Sequence, residues 1–565
     1  MKKATGKKKS ASKVWIEIKQ IKPVVQALPP TAPAKKNRNE AKPAPNLPRV
    51  REAVRSEASV IPAPVKAPGK KAPRPEEIVW LTSEASPYAK TGGLADVSGA
   101  LPQALSGKGY KVSVIMPYYP KMMGEHNKNV KVCYQNLGVP FLGRTEWAQI
   151  LEHKVNPNLT YYFIEYHRFF DRPALYDWRG IEYADNSERF IFFCRAAMQA
   201  IMALKLKPDI LHANDWHTAL CCVYLKSELY KYCNNFDRTA SVLTVHNIAY
   251  QGIFHKSHLY FTGLGWEYFT TRCLEFYDQI NLLKGGIMTA DFVTTVSPTH
   301  ANEILSPAYG FALDAPLRER NAVGRLRGII NGIDTENWNP GTDRLIPANY
   351  SAENMRGKAI CKEGLQKRFS LPVRPHSPVF GIVARLAHQK GLDVFISAVE
   401  DMLMYDDMQF VTLASGDPGL EESFLRLAAK YPAKFAVHIG YDDKLAHLIE
   451  SGSDFFVMPS RYEPCGLNQM YSMRYGTPPI VRATGGLEDT VINYDPKDFS
   501  SSTGFKLWDL YPRSLLNTMR WAASVYRLEP EGYRQVQVNG MKQDFSWNHT
   551  ADLYEKLYDD ATTAV

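Results

Sequence analysis

A repeated alternation of short apolar runs and helical patterns constrains the fold of this chain more than any other feature of its sequence. From residue 77 onward, runs rich in β-branched residues are each followed by Gly, Pro, Asn or Asp and then by apolar residues at helical spacing. This rhythm is typical of β-α units that build a parallel sheet covered by helices. The first series of runs lies at residues 78–81, 112–116, 210–212, 242–245 and 292–296.

A second series follows Asn331, at residues 379–383, 410–414, 435–439, 455–458 and 480–482. Single hydrophobic cores stop growing at about 250 to 300 residues, so a chain of this length needs more than one. The sequence therefore predicts an α/β fold of two doubly wound domains. The expected divisions are a tail at 1–75, a first domain at 76–328, a second at 329–541, and a helix at 542–565 that crosses back towards the first domain.

The basic character of the chain is confined to its tail. The whole chain has a net charge of +10, whereas residues 1–75 hold 19 Lys and Arg against 4 Asp and Glu, so the rest is mildly acidic. The tail also holds 12 of the 37 prolines and little that a core would bury. We expect a disordered, solvated tail, with a basic docking arm or a transit peptide as alternatives, and no nucleic-acid partner.

Cysteine usage and apolar run length indicate the setting of the protein. The eight cysteines show no C-x-x-C spacing, and no apolar run approaches the ~20 residues that a membrane span needs. We therefore expect a cytoplasmic protein without a membrane span. The chain also lacks D-x-D, H-E-x-x-H, Walker A and G-x-G-x-x-G motifs, so we expect no metal requirement and no dinucleotide cofactor.

Each predicted domain has one glycine turn next to cationic residues. In the first, Lys90 precedes Gly92 and Gly93 and then a helical pattern that includes Asp96. Glycines let a ligand approach backbone N–H groups, and a helix N-terminus attracts anions. Lys90 therefore suggests a bound phosphate, although a lysine at an ordinary surface turn would read the same way. Asp96 by itself is explained as a first-turn acid that stabilises the helix dipole.

The second domain places Arg385 and Lys390 on the loop after its first strand, and Glu463 after a later strand. Arg offers a fork of donors and Lys a mobile charge, which suits a diphosphate, although such a pair is also common on surfaces. A carboxylate at a strand end could bind sugar hydroxyls or stabilise a developing oxocarbenium ion. It could equally be a carboxylate that only stabilises a helix start.

Two further strand ends in the first domain are polar. Residues 212–217 read H-A-N-D-W-H and residues 244–251 read T-V-H-N-I-A-Y-Q. Because the carboxyl ends of parallel strands meet at one sheet edge, these side chains are expected to line a polar sugar pocket.

In this order the motifs resemble the glycogen and starch synthase family of retaining glucosyltransferases, which have the GT-B fold of two Rossmann-like domains facing a cleft. The resemblance covers roughly residues 77–558. It is carried by the segments S-E-A-S-P-Y-A-K-T-G-G-L-A-D-V (83–97), H-A-N-D-W-H (212–217), T-V-H-N-I-A-Y-Q-G (244–252), N-G-I-D (331–334), A-R-L-A-H-Q-K-G-L-D (384–393), P-S-R-Y-E-P-C-G-L (459–467) and T-G-G-L-E-D-T-V (484–491).

The resemblance implies the site residues. It makes Glu463, His246, Asp215, Arg385 and Lys390 catalytic and puts Asn247, Tyr250 and Gln251 on the acceptor side. It implies that the nucleotide sugar is bound by Lys90, Gly92, Gly93, Asp96, Asn331, Arg385, Lys390, Tyr441, Cys465, Gly466, Leu467, Thr484, Gly485 and Gly486. One small departure is Ala384, where the family usually has Ser or Gly before the Arg.

The implied reaction transfers glucose from ADP-glucose to the non-reducing 4-hydroxyl end of an α-1,4-glucan, glycogen or starch, with retention of configuration. UDP-glucose as donor stays open, as does the choice between same-face attack and double displacement. The alternatives are another GT-B hexosyltransferase, a glucan phosphorylase-like enzyme, or a non-catalytic glucan-binding protein. Loss of Lys90, Arg385, Lys390 or Glu463 would have favoured the last alternative, and all four are present.

Overall fold

The computed structural model describes residues 75–564, and the expectation of a disordered tail at 1–75 falls almost wholly outside the described residues. In chain order the strands are β1 (Glu77–Leu81), β2 (Lys111–Pro117), β3 (Lys131–Phe141), β4 (Arg144–Asn156), β5 (Leu159–Glu165), β6 (Asp177–Trp178), β7 (Ile181–Glu182), β8 (Ile210–Asn214), β9 (Ala240–Val245), β10 (Ile253–His255), β11 (Glu275–Phe276), β12 (Gln279–Asn281), β13 (Phe292–Thr295), β14 (Leu326–Gly328), β15 (Val379–Leu386), β16 (Gln409–Gly416), β17 (Phe435–Ile439), β18 (Phe455–Met458), β19 (Pro479–Arg482) and β20 (Phe505–Leu507).

The α-helices of the same residues are α1 (Gly93–Gly107), α2 (His167–Phe170), α3 (Asn186–Ala203), α4 (Asp215–Lys226), α5 (Leu259–Thr262), α6 (Leu282–Thr289), α7 (Pro298–Glu303), α8 (Asp314–Ala322), α9 (Arg356–Arg368), α10 (Leu392–Tyr405), α11 (Pro418–Lys430), α12 (Asp443–Gly452), α13 (Asn468–Arg474), α14 (Gly485–Thr490), α15 (Pro512–Leu528), α16 (Pro530–Met541) and α17 (Trp547–Thr563).

The first lobe is built on a nine-stranded sheet in the order β14-β13-β9-β8-β1-β2-β5-β4-β3. Its strands from β14 to β5 pair in parallel, whereas β4 and β3 run antiparallel at one edge. Helix α1 buries Leu94, Val97, Leu101 and Leu105, the apolar face that the sequence predicts. The central strands are buried on both faces, as parallel strands covered by helices must be.

The second lobe is built on a six-stranded sheet in the order β17-β16-β15-β18-β19-β20, and every pair in it is parallel. Phe380, Phe410 and Phe455 stack on neighbouring strands, and helices α10 and α15 complete this core. The expected α/β class with two parallel sheets is therefore confirmed. The antiparallel β3–β4 pair was not predicted.

The last helix, α17, packs on the first lobe although its sequence follows the second. Trp547, Tyr554 and Tyr558 belong to the same buried cluster as β1 and β8. The Tyr558 hydroxyl lies 2.7 Å from His212 Nδ1. The division of the chain at 328, 541 and 542 stays a prediction.

Candidate active site

The strand order reverses at β1, which lies between β2 and β8, and at β15, which lies between β16 and β18. Ligands of doubly wound sheets bind in the crevice outside the carboxyl ends of strands at such switch points. Residues 83–93, here called the glycine loop, follow β1. Residues 385–390, here called the cation loop, include the last two residues of β15 and the turn after it. Both predicted phosphate-binding segments thus lie at the switch points of their sheets.

The glycine loop is held by a buried acid, Glu84, that the sequence analysis did not single out. Its Oε2 accepts hydrogen bonds from Thr91 N at 2.5 Å and Thr91 Oγ1 at 2.9 Å. Burial raises the pKa of Glu84 to about 7, although its bonds to Thr91 and Gly92 act in the opposite direction. An acid three residues after the apolar run at 78–81 is the signal that could have identified it.

Lys90 and Asp96 form an ion pair at the exposed side of the glycine loop. Lys90 Nζ lies 2.6 Å from Asp96 Oδ1, and about half of the lysine side chain is exposed. Burial raises the pKa of Asp96, while the charge of Lys90 lowers it. The N-cap of α1 is Gly92, whose lack of a side chain leaves this helix start without a side-chain cap. Such an N-terminus beside a lysine favours an anion.

The polar ends of β8 and β9 lie next to each other. Asp215 Oδ1 accepts a hydrogen bond from His246 N at 2.7 Å, and His246 Nε2 lies 2.9 Å from Asn214 Oδ1. Asn214 Nδ2 donates to Leu81 O, so the Asn214 oxygen faces the imidazole and must accept from Nε2–H. Burial lowers the pKa of His246 to about 3 and raises that of Asp215 to about 7. His246 is therefore neutral at physiological pH, with its proton on Nε2.

The three residues predicted for the acceptor side have different surroundings. Tyr250 is 54% exposed. Gln251 is buried, accepts from Asn281 Nδ2 at 2.7 Å and donates to Phe311 O. Asn247 Oδ1 accepts from Ala249 N and shapes the turn between Tyr250 and His246.

In the second lobe, Glu463 meets the cation loop. Its Oε2 lies 2.6 Å from Lys390 Nζ and accepts a hydrogen bond from Ser460 Oγ at 2.9 Å. Glu463 is 5% exposed. Arg385 is exposed, and its side chain makes no ion pair or hydrogen bond with any of residues 75–564. The structure thus pairs Lys390 with Glu463 and leaves a third predicted catalytic residue, Arg385, without an ion pair or hydrogen bond in the described chain.

The segment after Glu463 faces the glycine loop of the first lobe. A Cβ atom placed on Gly93 would lie 4.0 Å from Leu467 Cδ1. Gly466 has φ +72°, a left-handed conformation that favours glycine. Burial raises the pKa of the Cys465 thiol to about 12, so this cysteine is not a nucleophile near neutral pH.

Thr484, Gly485 and Gly486 form the start of α14, behind the Glu463 backbone. Gly486 N donates to Glu463 O at 3.1 Å. Thr484 Oγ1 and Gly485 N both donate to Glu303 of the first lobe, at 2.8 and 3.0 Å. Their donors are therefore bonded to protein oxygens, and Glu303 is a further residue that the sequence analysis missed.

Two predicted nucleotide-sugar residues lie at the margins. Tyr441 follows β17 and is 85% exposed. Desolvation raises the pKa of its phenol; the charges of Asp443 and Asp96 also raise this pKa, whereas the charge of Lys90 lowers it. Tyr441 therefore lies within electrostatic range of Lys90 and Asp96. Asn331 is buried between the lobes, and its Oδ1 has no partner among the residues that the structure describes.

Neither a metal cluster nor a membrane-spanning helix is found in residues 75–564. No group of three or more His, Cys, Asp or Glu side chains there could hold a metal ion. No helix in this part of the chain is long and apolar enough to cross a membrane.

Comparison with known proteins decides the family. A model of the starch synthase catalytic domain matches residues 77–319, and one of group 1 glycosyl transferases matches residues 365–505. A glycogen synthase of Anaeromyxobacter sp. (strain Fw109-5) is 45% identical over 483 residues, covering 85% of this chain and 98% of the relative. The chain belongs to the glycogen and starch synthase family. It is thereby a glycosyltransferase.

Other members of the glycogen and starch synthase family agree. A glycogen synthase of Koribacter versatilis (strain Ellin345) is 45% identical, with 86% of this chain and 98% of the relative covered. The catalytic domain of starch synthase IV from Arabidopsis thaliana, solved with ADP and acarbose, has a TM-score of 0.79 at 32% identity and covers 87% of this chain and 100% of its own. A sucrose-phosphate synthase from Thermosynechococcus elongatus, 18% identical with a TM-score of 0.53 and covering 87% of this chain and 100% of its own, shares the fold.

Proposed function

We propose that this chain transfers glucose from ADP-glucose to the non-reducing 4-hydroxyl end of an α-1,4-glucan, with retention of configuration and without a metal. The observation that carries the proposal is the Lys390–Glu463 pair, set beside Arg385 and opposite the glycine loop. This arrangement provides positive charge for a diphosphate and a carboxylate for the sugar within one cleft. The ADP in the Arabidopsis neighbour supports the choice of an adenine nucleotide.

The cations have a defined part in this reaction. The diphosphate gains negative charge as the glycosidic bond breaks, and groups placed around that charge lower the barrier. Arg385 lies free to bind it, while Lys390 and Lys90 each neutralise a carboxylate that the diphosphate would compete with. We infer that all three contact the diphosphate when the donor is bound.

The hydrogen bonds of the buried carboxylates favour one of the two mechanisms by which the configuration at the anomeric carbon could be retained. Double displacement needs a carboxylate free to attack the sugar from its β face. Asp215 accepts from His246 N, Glu84 accepts from Thr91, and Glu463 is bonded to Lys390. These bonds favour same-face attack, in which the leaving phosphate accepts the proton of the acceptor hydroxyl. Glu463 then holds the donor sugar and neutral His246 offers a hydrogen-bonding group beside it.

A donor panel tests the proposal. Purified full-length chain is incubated with glycogen and either ADP-glucose or UDP-glucose, with and without EDTA, and release of nucleoside diphosphate is followed. We expect turnover with ADP-glucose that EDTA does not abolish. A magnesium-reversible loss in EDTA would contradict the metal-free reaction, and preference for UDP-glucose would contradict the donor assignment.

The same assay separates the alternatives. Glycogen with phosphate, or glucose 1-phosphate with glycogen, gives turnover only for a phosphorylase-like enzyme. Glycogen binding without turnover of any donor would indicate a glucan-binding protein. A cytoplasmic location stays a prediction from the sequence.

A further inference from the structure

Two short helices from opposite lobes, α7 and α14, pack against each other. Helix α7 follows β13 in the first sheet, and α14 follows β19 in the second. Each helix begins with backbone N–H groups that have no partner within the helix. In this structure each helix supplies a carboxylate to the beginning of the other.

Asp489, near the end of α14, binds the first turn of α7. Its Oδ2 accepts from Thr299 N at 3.1 Å, and its Oδ1 accepts from Thr299 Oγ1 at 2.5 Å. The Ser297 hydroxyl donates to Asp489 Oδ2 and also accepts from His300 N, as the N-cap of α7. The start of α7 is thus fixed by a carboxylate from the other lobe.

Glu303, the last residue of α7, does the same for α14. Its Oε1 accepts from Thr484 Oγ1 at 2.8 Å and from Gly485 N at 3.0 Å. Thr484 makes no cap of its own for this helix. Burial acts to raise the pKa of Glu303, but hydrogen bonds from His300, Gly485 and Thr484 together hold it below its ordinary value. We call this pair of contacts the reciprocal cap.

The reciprocal cap is connected to Glu463 through the backbone. Gly485 has φ +46°, and a Cβ atom there would lie 2.0 Å from Glu463 O. Gly486 N donates to Glu463 O at 3.1 Å and to Pro464 O at 3.2 Å. The start of α14 therefore rests on the peptide that carries the Glu463 side chain, whose carboxylate meets Lys390.

We propose that Glu303 is a positioning residue for glucosyl transfer, which acts across the lobe boundary by holding the start of α14 against the Glu463 backbone. A carboxylate in the first lobe thereby sets the orientation of Glu463 in the second, and Asp489 keeps the two helices in register. Nothing else in the described chain caps Gly485 N. The kinetic test of this inference rests on the proposed function, because it measures glucosyl transfer. The hydrogen-exchange test rests only on the contacts described above.

The kinetic test uses Glu303→Ala, Glu303→Gln and a matched control, Asp209→Ala. Asp209 Oδ2 also accepts two backbone N–H groups, from Glu76 at 2.8 Å and Glu77 at 3.0 Å, but it lies at the amino ends of β1 and β8, away from the carboxyl ends that line the cleft. Glu303→Ala should lower kcat about 10- to 100-fold with the KM for donor changed less than about threefold. Glu303→Gln should remain within about threefold of the parent, since its amide oxygen can accept both bonds. Asp209→Ala should lower Tm without lowering kcat.

Hydrogen–deuterium exchange provides a readout that needs no activity. In Glu303→Ala, residues 463–467 and 484–490 should exchange faster than in the parent, while in Asp209→Ala they should not. If the parent transfers glucose from no donor yet this pattern appears, the proposed function fails and the positioning contact stands. If Glu303→Ala does not fold, Glu303→Asp is used, which keeps the charge but is one methylene too short.

The inference is overturned if Glu303→Ala, or Glu303→Asp in its place, keeps the parent kcat with unchanged exchange at 463–467. It is also overturned if Asp209→Ala lowers kcat as much as Glu303→Ala does, since the effect would then come from lost stability in general.

Discussion

At the scale of single residues, the charges on the two sides of the cleft are already partly balanced. Lys390 is paired with Glu463, and Lys90 is paired with Asp96, while Arg385 has no carboxylate partner in the described chain. The diphosphate of the proposed donor would therefore compete with a carboxylate for Lys390 and for Lys90, and would find Arg385 without such a partner. The three cations are expected to act together as a clamp on the leaving group.

Removing a clamp cation should reduce turnover more than affinity. Groups that bind charge developing in the transition state typically contribute ~10² to 10³ in rate, about 3 to 4 kcal/mol, and Arg385→Ala and Lys390→Ala should each fall in that range. Lys90→Ala should do the same, and its effect should be non-additive with that of Arg385→Ala. Steady-state kinetics measures this.

Lys226→Ala is the control for the clamp, because Lys226 pairs with Asp291 on the surface, 2.9 Å away, outside the cleft. Its kcat should match that of the parent. A raised KM at unchanged kcat in the three clamp variants would show that these residues only anchor the donor in the ground state.

Glu84 gives a pH-dependent prediction. Its folded pKa of about 7 lies above the ordinary value of 4.5, so it favours the folded state at low pH and this contribution is lost as the pH rises through 7. Gln at this position keeps an acceptor for Thr91 and does not titrate. The free energy of unfolding of Glu84→Gln minus that of the parent should therefore increase by about 2 to 3 kcal/mol from pH 5 to pH 8, because only the parent loses stability as the pH rises. Denaturant unfolding at both pH values measures it, and a constant difference would contradict the cause assigned here.

At the scale of elements, a buried chain of hydrogen bonds ties α17 to the first sheet. Tyr558 on α17 meets His212 Nδ1 on β8, His212 Nε2 meets Thr244 Oγ1 on β9 at 2.7 Å, and Thr244 Oγ1 meets Thr294 Oγ1 on β13 at 2.6 Å. Burial lowers the pKa of His212 well below its ordinary value, so the ring is neutral and donates from one nitrogen while it accepts at the other.

Tyr558→Phe should break this chain at its outer end. One imidazole nitrogen of His212 is then buried without a partner, which costs about 1 to 3 kcal/mol. Tyr405→Phe is the control, since Tyr405 ends α10 with 78% of its surface exposed, and its change should stay within about 0.5 kcal/mol. Chemical denaturation compares the two, and an equal effect would show that the chain of bonds adds nothing to stability.

At the scale of the whole molecule, the excess positive charge and the residues that match the family lie in different parts of the chain. The starch synthase match begins at residue 77, and the basic segment precedes it. A segment rich in Pro and Lys cannot bury enough apolar surface to shape a cleft. The tail is thus expected to be dispensable for the reaction on a small or dissolved glucan.

Deleting residues 1–70 should leave turnover on dissolved glycogen within about twofold of the full-length value. The measurement is the initial rate at saturating donor for both proteins, with Tm as a check that the truncated chain folds. Loss of expression or activity would show that the tail takes part in the folded structure.

The sequence predicted the two sheets because their central strands are buried on both faces and read as continuous apolar runs. The predicted run 410–414 lies within β16, and the run 455–458 coincides with β18; both strands are internal to their sheet. The antiparallel pair β3 and β4 was missed, since most of β3 is exposed and its sequence alternates without a long apolar run. A strand that is mostly exposed, as β3 is, needs few apolar residues, so its sequence gives a weaker signal than that of a buried central strand.

Local signals, a glycine turn or a charged residue after a strand, pointed to Lys90, Arg385, Lys390 and Glu463, whereas most of the other predicted site residues came from the resemblance to the family. Parallel topology brings the carboxyl ends of β1, β8 and β9 to one edge. By itself, then, the sequence determined the fold class and the position of the two loops at the switch points, while the residues proposed to line the cleft stay predictions. Glu303 and Asp489 carried no such signal, because their partners lie about 180 to 190 residues away. Only the tertiary structure brings these helix ends together, since a cap between lobes depends on how the two sheets are placed in space.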